Sequence, residues 1–252
     1  MYQLQTYGTC HNKTLINHLE KNNLLYDLQH GFRHSRSCET QLLSFIQELA
    51  SNSDNNTQTD LIIIDFAKAF DKVPHQRLLY KLHFYGIQNE TLNWISAFLS
   101  NRTQTVVLDG ESSDVAPVTS GVPQGTVLGP VLFLGYINDL PEYLKSSKLR
   151  LFADDSIIFK CIKSKEDCDR LQEDLDAAAK WEEDWLMAFH PDKCTVLTVS
   201  NKKNTIKQDY ILHSHTLESV SSAKYLSITL KSGLKRNQHT NNIIKKIMQI
   251  KV

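Results

Sequence analysis

Arg150-Leu151-Phe152-Ala153-Asp154-Asp155-Ser156-Ile157-Ile158-Phe159-Lys160 is the stretch on which the fold turns. Two apolar runs, Arg150 to Phe152 and Ile157 to Lys160, flank a pair of aspartates, so the segment reads as a β-hairpin with the acids at its tip. Carboxylates among buried apolar neighbours are costly unless a cation or hydrogen bonds compensate. An ordinary solvent turn is the plainer reading of Asp-Asp, but it has less reason to be walled by Phe152-Ala153 and Ile157-Ile158.

Upstream, Leu61-Ile62-Ile63-Ile64 is a β-branched run of the kind found in strands buried on both faces, and it ends at Asp65. Three aspartates from adjacent strands could build one site. Hard oxygen ligands suit Mg²⁺, which keeps several waters and is shared with substrate phosphates. Two such ions about 4 Å apart can activate an attacking hydroxyl and stabilise a leaving pyrophosphate, and phosphoryl transfer needs little beyond that positioning and charge.

The rest of the chain fits around these strands. Leu42, Leu43, Phe45, Ile46 and Leu49 lie at helical spacing, and Ser51 to Thr59 reads as a loop. Leu78 to Leu99 predicts helices broken near Gly86. Thr103 to Leu108 and Val115 to Thr119 predict a hairpin about Asp109-Gly110. Val131 to Asn138 predicts a helix, and so does the amphipathic segment Glu166 to Ala188, with Leu171, Leu175, Ala178 and Trp185 on or near one face. Cys194 to Val199 and Lys224 to Leu230 read as strands, and Asn242 to Val252 as a helix. Helices alternate with antiparallel hairpins, which points to an α+β layer with helices on one face of a small sheet.

The 252 residues suit one large domain or two lobes sharing a core, and 41% apolar content supports a real interior. No apolar run approaches the roughly 20 residues of a membrane span, and the polar Met1 to Asn12 lacks a signal-peptide core, so a soluble intracellular protein is expected. The five cysteines (Cys10, Cys38, Cys161, Cys168 and Cys194) fit no zinc spacing and read as reduced thiols. The net charge is zero, yet Lys193 to Val252 carries eleven Lys or Arg against Asp209 and Glu218. Such a basic stretch could track a phosphate backbone or simply form a solvated face.

Gly121-Val122-Pro123-Gln124-Gly125-Thr126 is a Gly/Pro turn between the two aspartate motifs. Its glycines allow close backbone approach to a ligand, and Gln124 can donate and accept hydrogen bonds. With it the pattern becomes specific. Asp65 to His75 (Asp-Phe-Ala-Lys-Ala-Phe-Asp-Lys-Val-Pro-His), Ser120 to Pro130 and Leu151 to Asp155 resemble, in order and spacing, the three palm motifs of reverse transcriptases from jockey-like LINE-type (non-LTR) retrotransposons. Gln29-His30-Gly31-Phe32-Arg33 with Ser37 to Gln41 resembles the family's fingers–palm junction, and Trp94-Ile95 and Tyr136 to Leu140 fit as well.

The resemblance implies a polymerase palm with partial fingers and a truncated thumb. Residues 1–60 would be the partial fingers and the junction, 61–200 the palm with an inserted fingers hairpin at about 103–119, and 201–252 the primer-holding turn and the start of the thumb. It implies an RNA-directed DNA polymerase that takes an RNA template, a DNA primer and dNTPs and acts in the nucleus. Asp65, Asp154 and Asp155 would hold two Mg²⁺ ions, with Mn²⁺ as a substitute, and the Phe66 carbonyl would be a further metal ligand. Phe70 would be the aromatic gate that clashes with a ribose 2′-OH; a core aromatic is the alternative. Gln124 and Gly125 would meet the incoming nucleotide. Lys193 would give a proton to pyrophosphate; an ordinary surface lysine is the alternative. Lys224, Tyr225 and Leu226 resemble the primer-holding turn, and Arg33 would support template or fingers.

Three departures accompany the resemblance. The family's upstream Arg-Pro-Ile-Ser segment is missing before Gln29, Ser227 stands where the family has Gly in Tyr-Leu-Gly, and the thumb after Gly233 is altered. These 252 residues are expected to supply at most the polymerase half, with no endonuclease segment read among them. A non-catalytic palm that keeps the fold is therefore the competing reading. A third reading, another two-metal enzyme on a similar palm, has no reason to carry the Gln124 turn.

Overall fold

The computed structural model describes residues 2–233, with side chains from residue 12 onward. Two helices lead, α1 (Tyr2–Lys21) and α2 (Cys38–Asp54), followed by the strand β1 (Gln58–Ile64). Three helices come next: α3 (Ala69–Lys72), α4 (His75–Phe84) and α5 (Asn89–Leu99). Four short strands then form a projecting hairpin: β2 (Thr103–Gln104), β3 (Val107–Leu108), β4 (Glu111–Ser112) and β5 (Ala116–Pro117). Helices α6 (Leu128–Ile137) and α7 (Leu140–Tyr143) precede β6 (Lys148–Phe152), β7 (Asp155–Ile162) and α8 (Lys165–Trp185). A 3-10 turn, Pro191–Lys193, enters β8 (Thr195–Val199). The last strands are β9 (Ile211–Leu212), β10 (His215–Thr216), β11 (Glu218–Val220), β12 (Ser222–Tyr225) and β13 (Ile228–Lys231).

The central sheet has the order β11-β8-β1-β7-β6. β1 lies in its middle, antiparallel to both β7 and β8. Its Leu-Ile-Ile-Ile run suits that place, because a central strand buries side chains on both faces. Ile62 and Ile64 enter a core with α1, α4, α6 and α8, while Leu61 enters a second core with Phe45 and Leu49 of α2 and with Tyr225 and Leu230. The α+β class stands. The helical layer is not confined to one face, however, since α2 and the β12–β13 hairpin cover the other. Leu61 and Phe159 point to that second face and need a cover.

Local signals set several boundaries. Ser37 caps α2 by accepting from the Thr40 backbone nitrogen, and Thr40 returns a bond to Ser37. Asp167 accepts from the backbone nitrogens of Lys163 and Ser164 at the start of α8. Lys81 of α4 is buried, ion-pairs with Asp139 at 2.5 Å and lies 3.6 Å from the centre of the Trp185 ring. The charge is thus paired and faces aromatic rings rather than sitting bare in the interior.

Some segments differ from their sequence reading. Ser51 to Thr59 is mostly not loop: α2 runs to Asp54 and β1 begins at Gln58. Gln58, Thr59 and Asp60 are polar but fully buried. Asp60 accepts from Gln58, Thr198 and Tyr210 at 2.8–2.9 Å, and those bonds allow acids and amides into a strand interior. Lys224 to Leu230 is two strands about a turn, not one. Helix α6 starts three residues earlier than Val131, and α8 ends at Trp185. Helix α1 begins in the segment Met1 to Asn12, read as polar, and runs beyond it to Lys21; its Leu15, Ile16 and Leu19 join the main core. The hairpin at 103–119 forms as two small ladders, β2 with β5 and β3 with β4, and exposes Val106, Val107, Leu108 and Val115. The expected helix at Asn242 to Val252 lies outside the described residues. Among those described, no helix is long and apolar enough to cross a membrane, and Cys38, Cys161, Cys168 and Cys194 are free thiols.

Candidate active site

Strand register assembles the site. Ile64 of β1 pairs with Ser156 of β7, so the next residues outward, Asp65 and Asp155, leave the same end of the sheet side by side. On the other flank Ile63 pairs with Thr195 of β8, which carries Lys193 to the same end. The Lys193 ammonium lies 3.9 Å from the Asp65 carboxylate, both well exposed to solvent. Asp154 occupies the turn between β6 and β7, where Phe152 pairs with Asp155.

The acids feel one another. Burial of the turn raises the Asp154 carboxyl above the usual range, and the Asp65 charge adds to it. Burial also raises Asp155, followed by repulsion from Asp154 and from Asp65. Among the described residues, no three His, Cys, Asp or Glu side chains close into a metal-holding group. A cation that keeps its own waters needs no closed cage.

The residues after β1 build the next wall. The Phe66 ring packs edge-on against Phe189 and Trp181. Ala67 donates to the Ala188 carbonyl and His190 to the Asp65 carbonyl. These neighbours make the bonds on either side of the Phe66–Phe189 bridge, so the Phe66 carbonyl faces away from that partner. Phe70 is half-buried, and its ring stacks on Phe133 of α6 with centroids 4.4 Å apart. It packs at the edge of the core.

The Gly/Pro turn is fastened to α3. Gly121 donates to the Val73 carbonyl and Val122 to the Phe70 carbonyl, both at 2.8 Å. His75 donates from Nε2 to the Gly121 carbonyl at 2.8 Å. A Cβ on Gly121 would stand 2.7 Å from the Asp71 carbonyl oxygen, and φ is +91°, so only glycine fits here. Gln124 is exposed, with its amide 3.4 Å from the Asp71 carboxylate, and a side chain at Gly125 would meet open space. Both remain accessible to a ligand.

A cleft lies on the other side of Asp155. Cys38, Phe152, Asp155, Lys224, Tyr225, Leu226 and Ser227 line it. Tyr225 is buried and its ring meets Phe45 edge-on, while Lys224 is exposed. Leu226 and Ser227 have φ of +46° and +67°, so the β12–β13 turn is left-handed at both central residues. Arg33 is removed from the cleft: it donates to the carbonyls of Tyr26 and Gln29 and lies 3.7 Å from Glu20. Its bonds therefore stay within residues 20–33.

Two residues of this region had no assigned role in the sequence reading. Gln41, fully buried, donates to the Tyr225 hydroxyl at 3.0 Å and lies 3.4 Å from the Leu151 carbonyl, which ties the β12–β13 hairpin to the Asp154–Asp155 hairpin. Its signal was present: Gln41, Phe45, Leu49 and Ser53 form the buried stripe of α2, and a polar residue on such a stripe has a partner to find. Cys194, buried behind Asp65, is the other; its thiol sulfur lies 3.4 Å from the Asp65 backbone nitrogen.

A small sheet, antiparallel but for its β11 edge and packed against helices, with acids converging at one end of its central strands, is a palm-like polymerase fold. The chain belongs to the family "Reverse transcriptase (RNA-dependent DNA polymerase)", whose profile matches residues 1–230. It is 30% identical over 85% of its length to the RNA-directed DNA polymerase from mobile element jockey of Drosophila melanogaster. It is 28% identical over 86% to a probable RNA-directed DNA polymerase from transposon BS of the same organism. It spans about a quarter of the length of these relatives, 24% and 25%. In fold it resembles apo telomerase from Candida tropicalis, with a TM-score of 0.60 and 10% identity over 90% of this chain and 39% of that one.

Proposed function

We propose that this chain is the polymerase part of a non-LTR retrotransposon protein, an RNA-directed DNA polymerase that adds dNTPs to a primer 3′-OH on an RNA template. The strand register carries this reading: it brings Asp65, Asp155 and Lys193 to one end of the sheet, beside the Asp154 turn. Family membership and the names of the relatives agree with it.

The donor set fits a divalent cation. Two carboxyls are raised by burial and by neighbouring carboxylates, a cost that a bound cation would relieve. Asp65, Asp154, Asp155 and the Phe66 carbonyl would hold two Mg²⁺ ions, or Mn²⁺ in their place. Bound there, the ions supply activation of the attacking hydroxyl and neutralisation of charge on the leaving pyrophosphate. The protein does the rest. Phe70, braced by Phe133, limits the space below the sugar. Gln124 and Gly125 offer an open surface to the nucleotide. The Lys193 ammonium, 3.9 Å from the Asp65 carboxylate, would give a proton to pyrophosphate. Lys224, Tyr225 and Leu226 hold the primer strand in the cleft beside Asp155, and Arg33 braces the junction.

In this reading residues 1–60 serve as fingers and fingers–palm junction, 61–200 as palm with the fingers hairpin at about 103–119, and 201–252 as primer-holding turn and start of thumb. Insertion of the DNA product into a genome places the work in the nucleus of the cell. The second reading, a palm that binds a primer–template without extending it, draws support from the left-handed Ser227 in the primer-holding turn.

Primer extension on an RNA template with a DNA primer, Mg²⁺ and dNTPs decides between them, run beside Asp154→Ala. Extension that vanishes in the variant is the expected result. Folded protein that binds the hybrid and never extends it would leave the binding palm.

A further inference from the structure

Asp154 and Asp155 sit on and beside a turn whose backbone is unfavourable. Ala153, its first central residue, has φ of +54°, a conformation that residues with a Cβ rarely adopt. Something outside the hairpin must hold it there, and the junction segment supplies the contact. The Gln29 side chain is 2% exposed. Its Oε1 accepts from the backbone nitrogen of Ala153 at 3.0 Å and from that of Gly31 at 2.8 Å. Its Nε2 points back at the Ala153 carbonyl, 3.5 Å away. On either side of this amide the backbones are laced together: His30 donates to the Leu151 carbonyl at 2.9 Å, and Leu151 to the Leu28 carbonyl at 3.1 Å. A Cβ on Gly31 would stand 2.4 Å from the Ala153 nitrogen, so the segment lies flush on the turn.

We propose that Gln29 is a positioning residue for the carboxylates of Asp154 and Asp155. Its amide clamps Ala153 in the left-handed conformation and so fixes the direction in which both acids leave the turn. An amide suits the task because one oxygen accepts two backbone N–H groups while the nitrogen faces the carbonyl of the same residue. The turn's own ladder cannot supply these bonds, since a two-residue loop leaves its central N–H without a partner strand. The proposal rests on the reading that these acids hold divalent cations, and Gln29 itself touches neither cation nor nucleotide.

The test uses the full chain and Gln29→Met, which keeps length and apolar bulk but removes both bonds. Mn²⁺ binding is read by electron paramagnetic resonance on folded protein without substrate, and amide hydrogen exchange by NMR. Wild type is expected to protect the Ala153 amide, and Q29M to expose it while the Ile62 and Ile158 amides of the central sheet stay protected. Q29M is expected to bind Mn²⁺ roughly tenfold more weakly, and its half-saturating Mg²⁺ in primer extension should rise while the KM for dNTP stays put. Q29M with wild-type Mn²⁺ affinity would overturn the proposal, provided Asp154→Ala lowers that affinity. Should Asp154→Ala leave Mn²⁺ binding unchanged, the functional reading itself fails, not the clamp. If Q29M does not fold, wild type alone decides: an Ala153 amide that exchanges as fast as an exposed turn amide sinks the clamp.

Discussion

The backbone nitrogen of Asp65 donates to the buried thiol sulfur of Cys194 across 3.4 Å. Burial pushes that thiol up to about 11, so it stays protonated and unreactive at neutral pH. Among the four cysteines whose side chains are described, alkylation of the native protein should therefore modify the half-buried Cys38 and Cys161 first, and reach Cys168 and Cys194 only on unfolding. Peptide mass spectrometry over a time course reads the order. Early labelling of Cys194 would mean that the strand behind Asp65 opens in the native state.

The raised carboxyls of Asp154 and Asp155 predict a pH effect with a definite sign. A carboxyl whose folded pKa exceeds its unfolded value contributes stability below the unfolded pKa, and that contribution is lost as pH rises through the folded one. At neutral pH, without metal, the two ionised acids therefore weaken the fold. Asp155→Asn should raise the metal-free melting temperature at pH 7 and bring primer extension to background. Mg²⁺ should raise the melting temperature of wild type and not that of the variant. A variant melting below wild type in the absence of metal would refute the sign.

Ser227 occupies a left-handed position, φ +67°, in the β12–β13 turn. That conformation costs a residue with a Cβ about 1–2 kcal/mol, and glycine escapes it. Part of the gain returns as unfolded-chain entropy. Ser227→Gly should stabilise the protein by up to about 1 kcal/mol, seen as a higher urea midpoint at unchanged slope. A lower midpoint would show that the serine side chain has contacts worth more than the strain.

Phe70 leans on Phe133, with ring planes 17° apart. Phe70→Ala should cut the preference for dNTPs over ribonucleotides by roughly tenfold or more, the scale on which pocket shape discriminates. It should cost less stability than the about 3–5 kcal/mol of a fully buried Phe→Ala change, because Phe70 is half-exposed. Single-nucleotide incorporation with each substrate and a denaturant titration read the two effects. Unchanged discrimination with a large stability loss would make Phe70 a core aromatic only.

Much of the fold was legible because the decisive strands are short and strongly marked. The apolar run before Asp65 and the hairpin around Asp154-Asp155 could hardly be anything else, and both formed where expected. Errors fell on polar residues that the fold buries. Gln58 looks like a loop residue until Asp60 and the Ile206 backbone arrive to bond it. The Leu226-Ser227 turn was expected only through the resemblance to a primer-holding turn; by residue type alone Lys224 to Leu230 read as a single strand.

By itself, the sequence determined the order of the central elements and the α+β class, because apolar periodicity and motif spacing are local properties of the chain. Only the tertiary structure decided which residues stand beside one another. Gln29 meets Ala153, Gln41 meets Tyr225 and Cys194 meets Asp65 across separations of 124, 184 and 129 residues. A buried polar group takes whichever partner the packing delivers, and strand register, not neighbouring sequence, makes that delivery.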